Sequence, residues 1–85
     1  MIQVLVKFHA QVATKMKKGE VLLDFSKNTT WSQLFKTLEE EFGFEFSQNV
    51  FTLVNGKSIW SYQSNEELID TAKVIIEVFP APVGG

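Results

Sequence analysis

The stretch from Thr30 to Gly43 constrains this chain more than any other, because it holds the single convincing amphipathic helix. Trp31, Leu34, Phe35, Leu38 and Phe42 recur at i, i+3, i+4, i+7 and i+11, which puts five large apolar side chains on one helical face. Thr30 is followed three residues later by Gln33, the capping-box spacing in which each side chain satisfies an orphan N–H of the first turn. Gly43 adopts positive φ freely and can close the helix. One helix cannot bury such an aromatic stripe alone, so the rest of the chain must form a layer for it to lie across. Glu39, Glu40 and Glu41 read as a solvated acidic face.

The flanking sequence supplies that layer. Ile2 to Phe8 alternates, with Ile2, Val4, Val6 and Phe8 on one face of a half-buried strand. Glu20 to Phe25 repeats the pattern through Val21, Leu23 and Phe25, and two strands this close pair most simply antiparallel. Between them, Ala10, Val12, Ala13 and Met16 suit a short helical turn, while Gln11 to Thr14 can instead open a hairpin. Lys17-Lys18-Gly19 is a turn on either reading. After the helix, Phe44, Phe46 and Phe51 flank a polar break at Ser47-Gln48-Asn49, and Val50 to Val54 is a third strand. Asn55-Gly56 is a strong hairpin signal, since both residues tolerate the positive φ of a type I′ turn, and it predicts a short return strand over Ser58 to Ser61. Gln63 to Glu67 is a polar connection, Leu68 and Ile69 form an apolar clasp, and Asp70 to Lys73 turns into a last strand, Val74 to Phe79. In this order the first and last strands lie side by side, parallel, in the middle of the sheet. The implied class is α+β: a mixed sheet of four to five strands packed against one main helix.

Composition narrows the chemistry. With 85 residues the chain makes one domain around one core. It has no cysteine and one histidine, His9. That excludes disulfides, iron–sulfur clusters, Cys-ligated zinc, a thiol nucleophile, a His-based triad and a multi-histidine metal site. A net charge of −2 with no arginine argues against nucleic-acid binding. Lys15, Lys17 and Lys18 form the densest basic cluster and read as a solvated loop. No apolar run approaches the ~20 residues that span a bilayer, and no secretory signal precedes the first strand. The expectation is a cytoplasmic protein with no membrane partner.

The end of the chain is distinctive. Pro80-Ala81-Pro82-Val83-Gly84-Gly85 follows directly on the last apolar run. Pro80 and Pro82 lack an N–H and favour an extended form, so the backbone is expected to stop pairing there. Gly84 and Gly85 carry no Cβ, which lets another protein's narrow channel close around them. The Gly85 carboxylate, with a reference pKa of roughly 3.5, is ionised at neutral pH and is a poor electrophile until activated. Termini are often rich in small residues, so the dipeptide alone decides nothing. The division expected is a body over residues 1–79 and a flexible tail over 80–85.

Taken in order, the Thr-initiated helix after the second strand, Val54-Asn55-Gly56-Lys57 and the ending Phe79-Pro80-Ala81-Pro82-Val83-Gly84-Gly85 resemble the ubiquitin-like β-grasp proteins. Among these the chain is most similar to the MoaD/ThiS sulfur carriers, the small subunit of molybdopterin synthase and the thiamine-pathway carrier, with their related modifiers. Two features depart from that pattern: Asp70-Thr71-Ala72-Lys73 stands where Asp-Gly-Asp is common, and Ala81 splits the Pro-Pro step. The resemblance implies a substrate of enzymes rather than an enzyme, with no bound cofactor. A ubiquitin-activating-type adenylyltransferase would use ATP to adenylate Gly85, and sulfur from a persulfide would convert it to a thiocarboxylate for molybdopterin biosynthesis, with the molybdopterin-synthase large subunit as partner. Alternatively the activated Gly85 would join target-protein lysines as a modifier. A third reading is an interaction domain with an inert tail.

A partner surface is also expected. If Ile2, Val4, Val6, Phe8, Val74, Ile76 and Val78 face the helix, then Leu5, Ile75 and Phe79 sit on the sheet's open face, where polar residues are usual. Three apolar side chains on neighbouring central strands make a docking patch beside the tail root. In the third strand the pattern does not choose which of Thr52 and Leu53 points outward. His9 reads as a loop residue without a role, and Trp60 and Tyr62 as packing residues.

Overall fold

The computed structural model describes residues 1–46 and 50–81. The polar break at Ser47-Gln48-Asn49 and the terminal Pro82-Val83-Gly84-Gly85 lie outside the described residues. The elements in order are β1 (Ile2–Phe8), α1 (Gln11–Met16), β2 (Glu20–Phe25), α2 (Trp31–Phe42), β3 (Val50–Val54), β4 (Lys57–Ser58), a 3-10 turn (Ile59–Ser61) and β5 (Lys73–Pro80).

The strands form one five-stranded sheet in the order β2-β1-β5-β3-β4. β1 and β5 run parallel at its centre, with Val4 opposite Val74 and Val6 opposite Ile76. β2 pairs antiparallel with β1, and β3 pairs antiparallel with both β5 and β4. Trp31, Leu34, Phe35 and Leu38 of α2 are buried, as are Ile2, Val4, Val6, Phe8, Val74, Ile76 and Val78 from the central strands. Each such side chain contributes about 1.5–3 kcal/mol on removal from water. Phe35–Phe46 and Phe8–Phe42 meet edge-to-face at 5.7 and 5.2 Å between centroids, a geometry that adds about 0.5–1.5 kcal/mol beyond burial.

The local signals for α2 and the hairpin act as their chemistry dictates. Thr30 Oγ1 accepts from the Gln33 N–H at 3.1 Å, and Gln33 Oε1 accepts from the Thr30 N–H at 3.0 Å. Gly43 at φ 76° ends the helix and donates to the Glu39 carbonyl. Asn55 at φ 50° and Gly56 at φ 82° make the turn between β3 and β4.

Of the two readings of the segment after β1, the helical one holds: α1 buries Val12. Several other local expectations change. The return strand stops at Ser58, because Ser58 Oγ accepts from the Trp60 N–H at 3.3 Å and the Tyr62 N–H donates to the Ile59 carbonyl at 2.8 Å. These bonds curl residues 59–61 into a 3-10 turn that buries Ile59. Trp60 is therefore not a packing residue: it is 67% exposed. Tyr62 does pack, with its ring 4.6 Å from Trp31. Only Ile69 of the apolar clasp is buried; Leu68 is exposed and bridges to Thr30. Glu39 is not simply solvated, since its carboxylate accepts from the Phe46 N–H at 2.8 Å and ties the residues after α2 back to the helix.

Candidate functional site: the end of β5 and the open face of the sheet

β5 carries the chain from the centre of the sheet toward its terminus, and pairing continues one residue further than a proline suggests. Pro80 lies opposite Val50 in the β3–β5 ladder. The reason is the alternation of hydrogen-bonding direction along a strand. The Asn55 N–H donates to the Ile75 carbonyl, so odd positions of β5 face β3. The His9 N–H donates to the Val78 carbonyl at 2.9 Å, so even positions face β1. The missing N–H of Pro80 therefore falls on the β1 side, just past the end of β1, and costs the β3 ladder nothing. The body thus reaches Pro80, and Ala81, half-buried, is the last described residue. Beside Pro80, a cavity of about 410 Å³ opens between α1 and the residues after α2, with Val12, Met16, Phe44 and Val50 in its wall.

On the open face the structure places Leu5 directly opposite Ile75, with Leu22 opposite Leu5 on the other side. Leu22 and Ile75 are 60% and 41% exposed, while Leu5 between them is half-buried. Asn55 fastens the hairpin turn onto this row: its Oδ1 accepts from the Ile75 N–H and its own N–H donates to the Ile75 carbonyl, each at 2.8 Å.

Phe79 lies four residues along β5 on the same face, beyond Glu77. It forms a second apolar group with Phe51, its partner in register, at 6.0 Å between centroids. His9 belongs to this group and is not an idle loop residue. Its ring stacks on Phe79 at 4.3 Å and 6°, and its Nε2 lies 3.4 Å from Glu77 Oε2. That approach is close but not aligned as a hydrogen bond. Leu53 points outward, opposite Glu77, while Thr52 points inward.

The expected trio is thus split. Leu5 and Ile75 meet, Phe79 sits apart with Phe51 and His9, and Lys7, Glu77 and Leu53 lie between the two groups. Leu22 was legible as the outward residue of an alternating strand. Phe51 and His9 were not, because only register and a contact from β5 bring them in. Of the tail residues, Pro80 and Ala81 are placed, whereas Pro82, Val83, Gly84 and Gly85 lie outside the described residues. Among the described residues no cluster of three or more His, Asp or Glu could hold a metal ion, and no helix is long and apolar enough to cross a membrane.

A mixed sheet with parallel central strands, one long helix across one face and an Asn-Gly hairpin beside the last strand defines a ubiquitin-like β-grasp domain. No protein-family model and no curated protein matches the sequence, so the likeness to known proteins is carried by three-dimensional structure. Small archaeal modifier protein 1 from Haloferax volcanii superposes with a TM-score of 0.67 at 18% identity, covering 98% of this chain and 99% of that one. The protein of the same name from Methanosarcina acetivorans gives 0.64 at 19% identity, covering 100% and 98%. A putative molybdopterin converting factor subunit 1 from Pyrococcus furiosus gives 0.65 at 16% identity, covering 96% and 100%. The match spans the whole length on both sides, and it establishes the fold.

Proposed function

We propose that this protein is a small carrier whose Gly85 carboxylate is activated and then loaded with sulfur. The observation that carries the proposal is the direction of β5: the central strand delivers the chain at Pro80 to the border of an exposed apolar face. A partner docked on that face would meet the tail where it departs. Residues 81–85 at roughly 3.1–3.3 Å each reach about 16 Å, enough to thread a terminal carboxylate into a buried catalytic centre.

The chemistry is supplied by partners. The Gly85 carboxylate attacks the α-phosphorus of ATP and displaces pyrophosphate, giving an acyl-adenylate. A persulfide sulfur displaces AMP from that carbonyl, and a thiol then cleaves the S–S bond to leave a thiocarboxylate. The chain has no cysteine to provide either sulfur. It acts as a substrate in this sequence of steps, in the cytoplasm, and holds no cofactor of its own. The molybdopterin-synthase large subunit is the proposed acceptor complex, in line with the converting-factor neighbour.

A second reading is favoured by the two modifier neighbours: attack by a target lysine on the same adenylate would leave an isopeptide bond. Intact mass spectrometry after incubation with the activating enzyme, ATP and a sulfur donor separates the two. An oxygen-for-sulfur mass gain at Gly85 is expected for the carrier, and Gly-Gly remnants on lysines for the modifier. If neither product forms, the tail is inert and both readings fail. Gly85→Leu is expected to abolish adenylation without altering stability; normal adenylation of that variant would overturn the threading argument.

A further inference from the structure

β2 ends the sheet on one side, and no described segment pairs with its outer edge. Its exposure pattern is unlike that of the other long strands. Val21, Leu23 and Phe25 on the helix side are only half-buried, and Leu22 on the open face is exposed. The backbone parity of the edge follows from one bond. The Phe8 N–H donates to the Gly19 carbonyl at 2.8 Å, and Phe8 and Gly19 continue the β1–β2 register. Hydrogen-bonded pairs alternate along an antiparallel ladder, so Val21, Leu23 and Phe25 turn their N–H and C=O groups toward β1. Glu20, Leu22 and Asp24 turn theirs outward.

The same three residues hold their side chains on the open face, where Glu20 and Asp24 bracket Leu22. Neither carboxylate is in an ion pair among the described residues. Asp24 lies opposite Gln3, and Glu20 lies opposite Lys7, which also faces Glu77.

We propose that this edge receives an extended segment of another protein with the pattern basic–apolar–apolar–apolar–basic. Such a segment adds a sixth strand by bonding to the outward groups of Glu20, Leu22 and Asp24. Its middle residue lies against Leu22, and its two flanking apolar residues extend the half-covered row of Val21 and Leu23. Its basic ends lie opposite Glu20 and Asp24, where opposite charges stabilise a cross-strand pair. The pattern reads alike in both directions, so it serves a parallel or an antiparallel strand.

A second copy of this chain fits worse. Two β2 strands centred on Leu22 would set Glu20 against Asp24, and centring them on Leu23 would set Leu22 against Asp24. Lys17 and Lys18 before the strand and Lys27 after it bound the acidic stretch and limit the docked segment to about five residues. β1 lies between this edge and β5, and the docked segment uses no group of the tail.

The test uses the 15N-labelled full chain and two synthetic peptides, Ser-Lys-Val-Leu-Val-Lys-Ser and its analogue with Glu at both Lys positions. The basic peptide is expected to shift and protect the Glu20, Leu22 and Asp24 amides, and to bind about tenfold tighter than the acidic one at low salt. The double variant Glu20→Lys, Asp24→Lys is expected to reverse that preference. Leu22→Pro removes one outward N–H, leaves the β1 ladder intact and should abolish binding by both peptides; retained amide dispersion confirms its fold. Equal binding of the two peptides, shifts confined to the Phe51–Phe79 region, or sedimentation of the free chain as a dimer that Leu22→Pro dissolves would each overturn the proposal.

Discussion

Ile75 and Ile76 are neighbours on β5 with the same side chain and opposite situations. Ile76 is 0% exposed, in the middle of the row that α2 covers, while Ile75 is 41% exposed on the other side of the same sheet. The inner face has what a core requires: aliphatic residues in register from β1 and β5, with aromatic residues from α2 laid across them. The open face carries fewer large apolar residues, Leu5, Leu22, Phe51, Leu53, Ile75 and Phe79, interspersed with charged ones and with no described element over them. Apolar side chains left in water contribute little to folding, and this face is the one on which the proposed function places a docked partner. Shape on the inner face comes from cover, and on the open face from local contacts, with Asn55 hydrogen-bonded to Ile75 and the His9 ring stacked on Phe79.

The largest test of this contrast is Ile76→Ala. It removes buried methylenes from a site that rigid neighbours surround, and it is expected to cost about 2–5 kcal/mol in chemical denaturation. In a domain this small that loss approaches the total stability. A cost under about 1 kcal/mol would mean that the helix-covered layer is looser than its burial implies.

Asn55→Ala comes next, at about 1–3 kcal/mol, because it puts a Cβ-bearing residue without a local hydrogen bond at φ 50° and leaves the Ile75 N–H without its acceptor. Asn55→Gly separates the two causes, since glycine keeps the backbone angle and loses only the bond. If the two variants unfold at the same denaturant concentration, the fastening of the open face rests on the side-chain bond rather than on the turn.

These contrasts also explain what could be read from the chain itself. β1, α2 and the Asn-Gly turn were legible because their signals are local: a two-residue alternation, a helical stripe between caps, and a pair of residues that accept positive φ. The parallel centre of the sheet followed from element order. What failed depended on partners distant in sequence. Ser58 to Ser61 is too short to show a period, and Ser58 Oγ decided its course. Pro80 looked like a stop until the side on which its N–H is missing was known. Glu39 and His9 find their partners at Phe46 and at Glu77 and Phe79, and no spacing announces either. Within the site, Leu5, Ile75 and Phe79 were legible as outward residues, but their division into two groups required the register.

Thr52 is the one polar residue set into the inner row of β3, buried and with no hydrogen-bond partner for its Oγ1. It sharpens the comparison from the covered side, because a desolvated hydroxyl is out of keeping with that layer. Thr52→Val keeps the branched shape, replaces the hydroxyl with a methyl, and is expected to raise stability by about 1 kcal/mol. A loss of stability would show that the hydroxyl does find an acceptor in solution.

Ile75→Ser carries the smallest expected effect on folding and the most information about the open face. Much of that side chain already meets water, and its backbone bonds to Asn55 do not depend on it. The expected change in stability is about 1 kcal/mol or less, part of it from the weaker strand preference of serine. If the face serves a docked activating enzyme, however, removing an apolar side chain near its centre should weaken that complex by about tenfold, a loss of ~1.4 kcal/mol that appears in binding and not in unfolding. Adenylation of Gly85 measured against protein concentration would register it as a raised half-saturation point with an unchanged limiting rate. Equal losses in unfolding and in docking would assign Ile75 to the core on both sides of the sheet. An unchanged half-saturation point would move the docking surface elsewhere, leaving the Phe51–Phe79–His9 group beside Pro80 as the place to look.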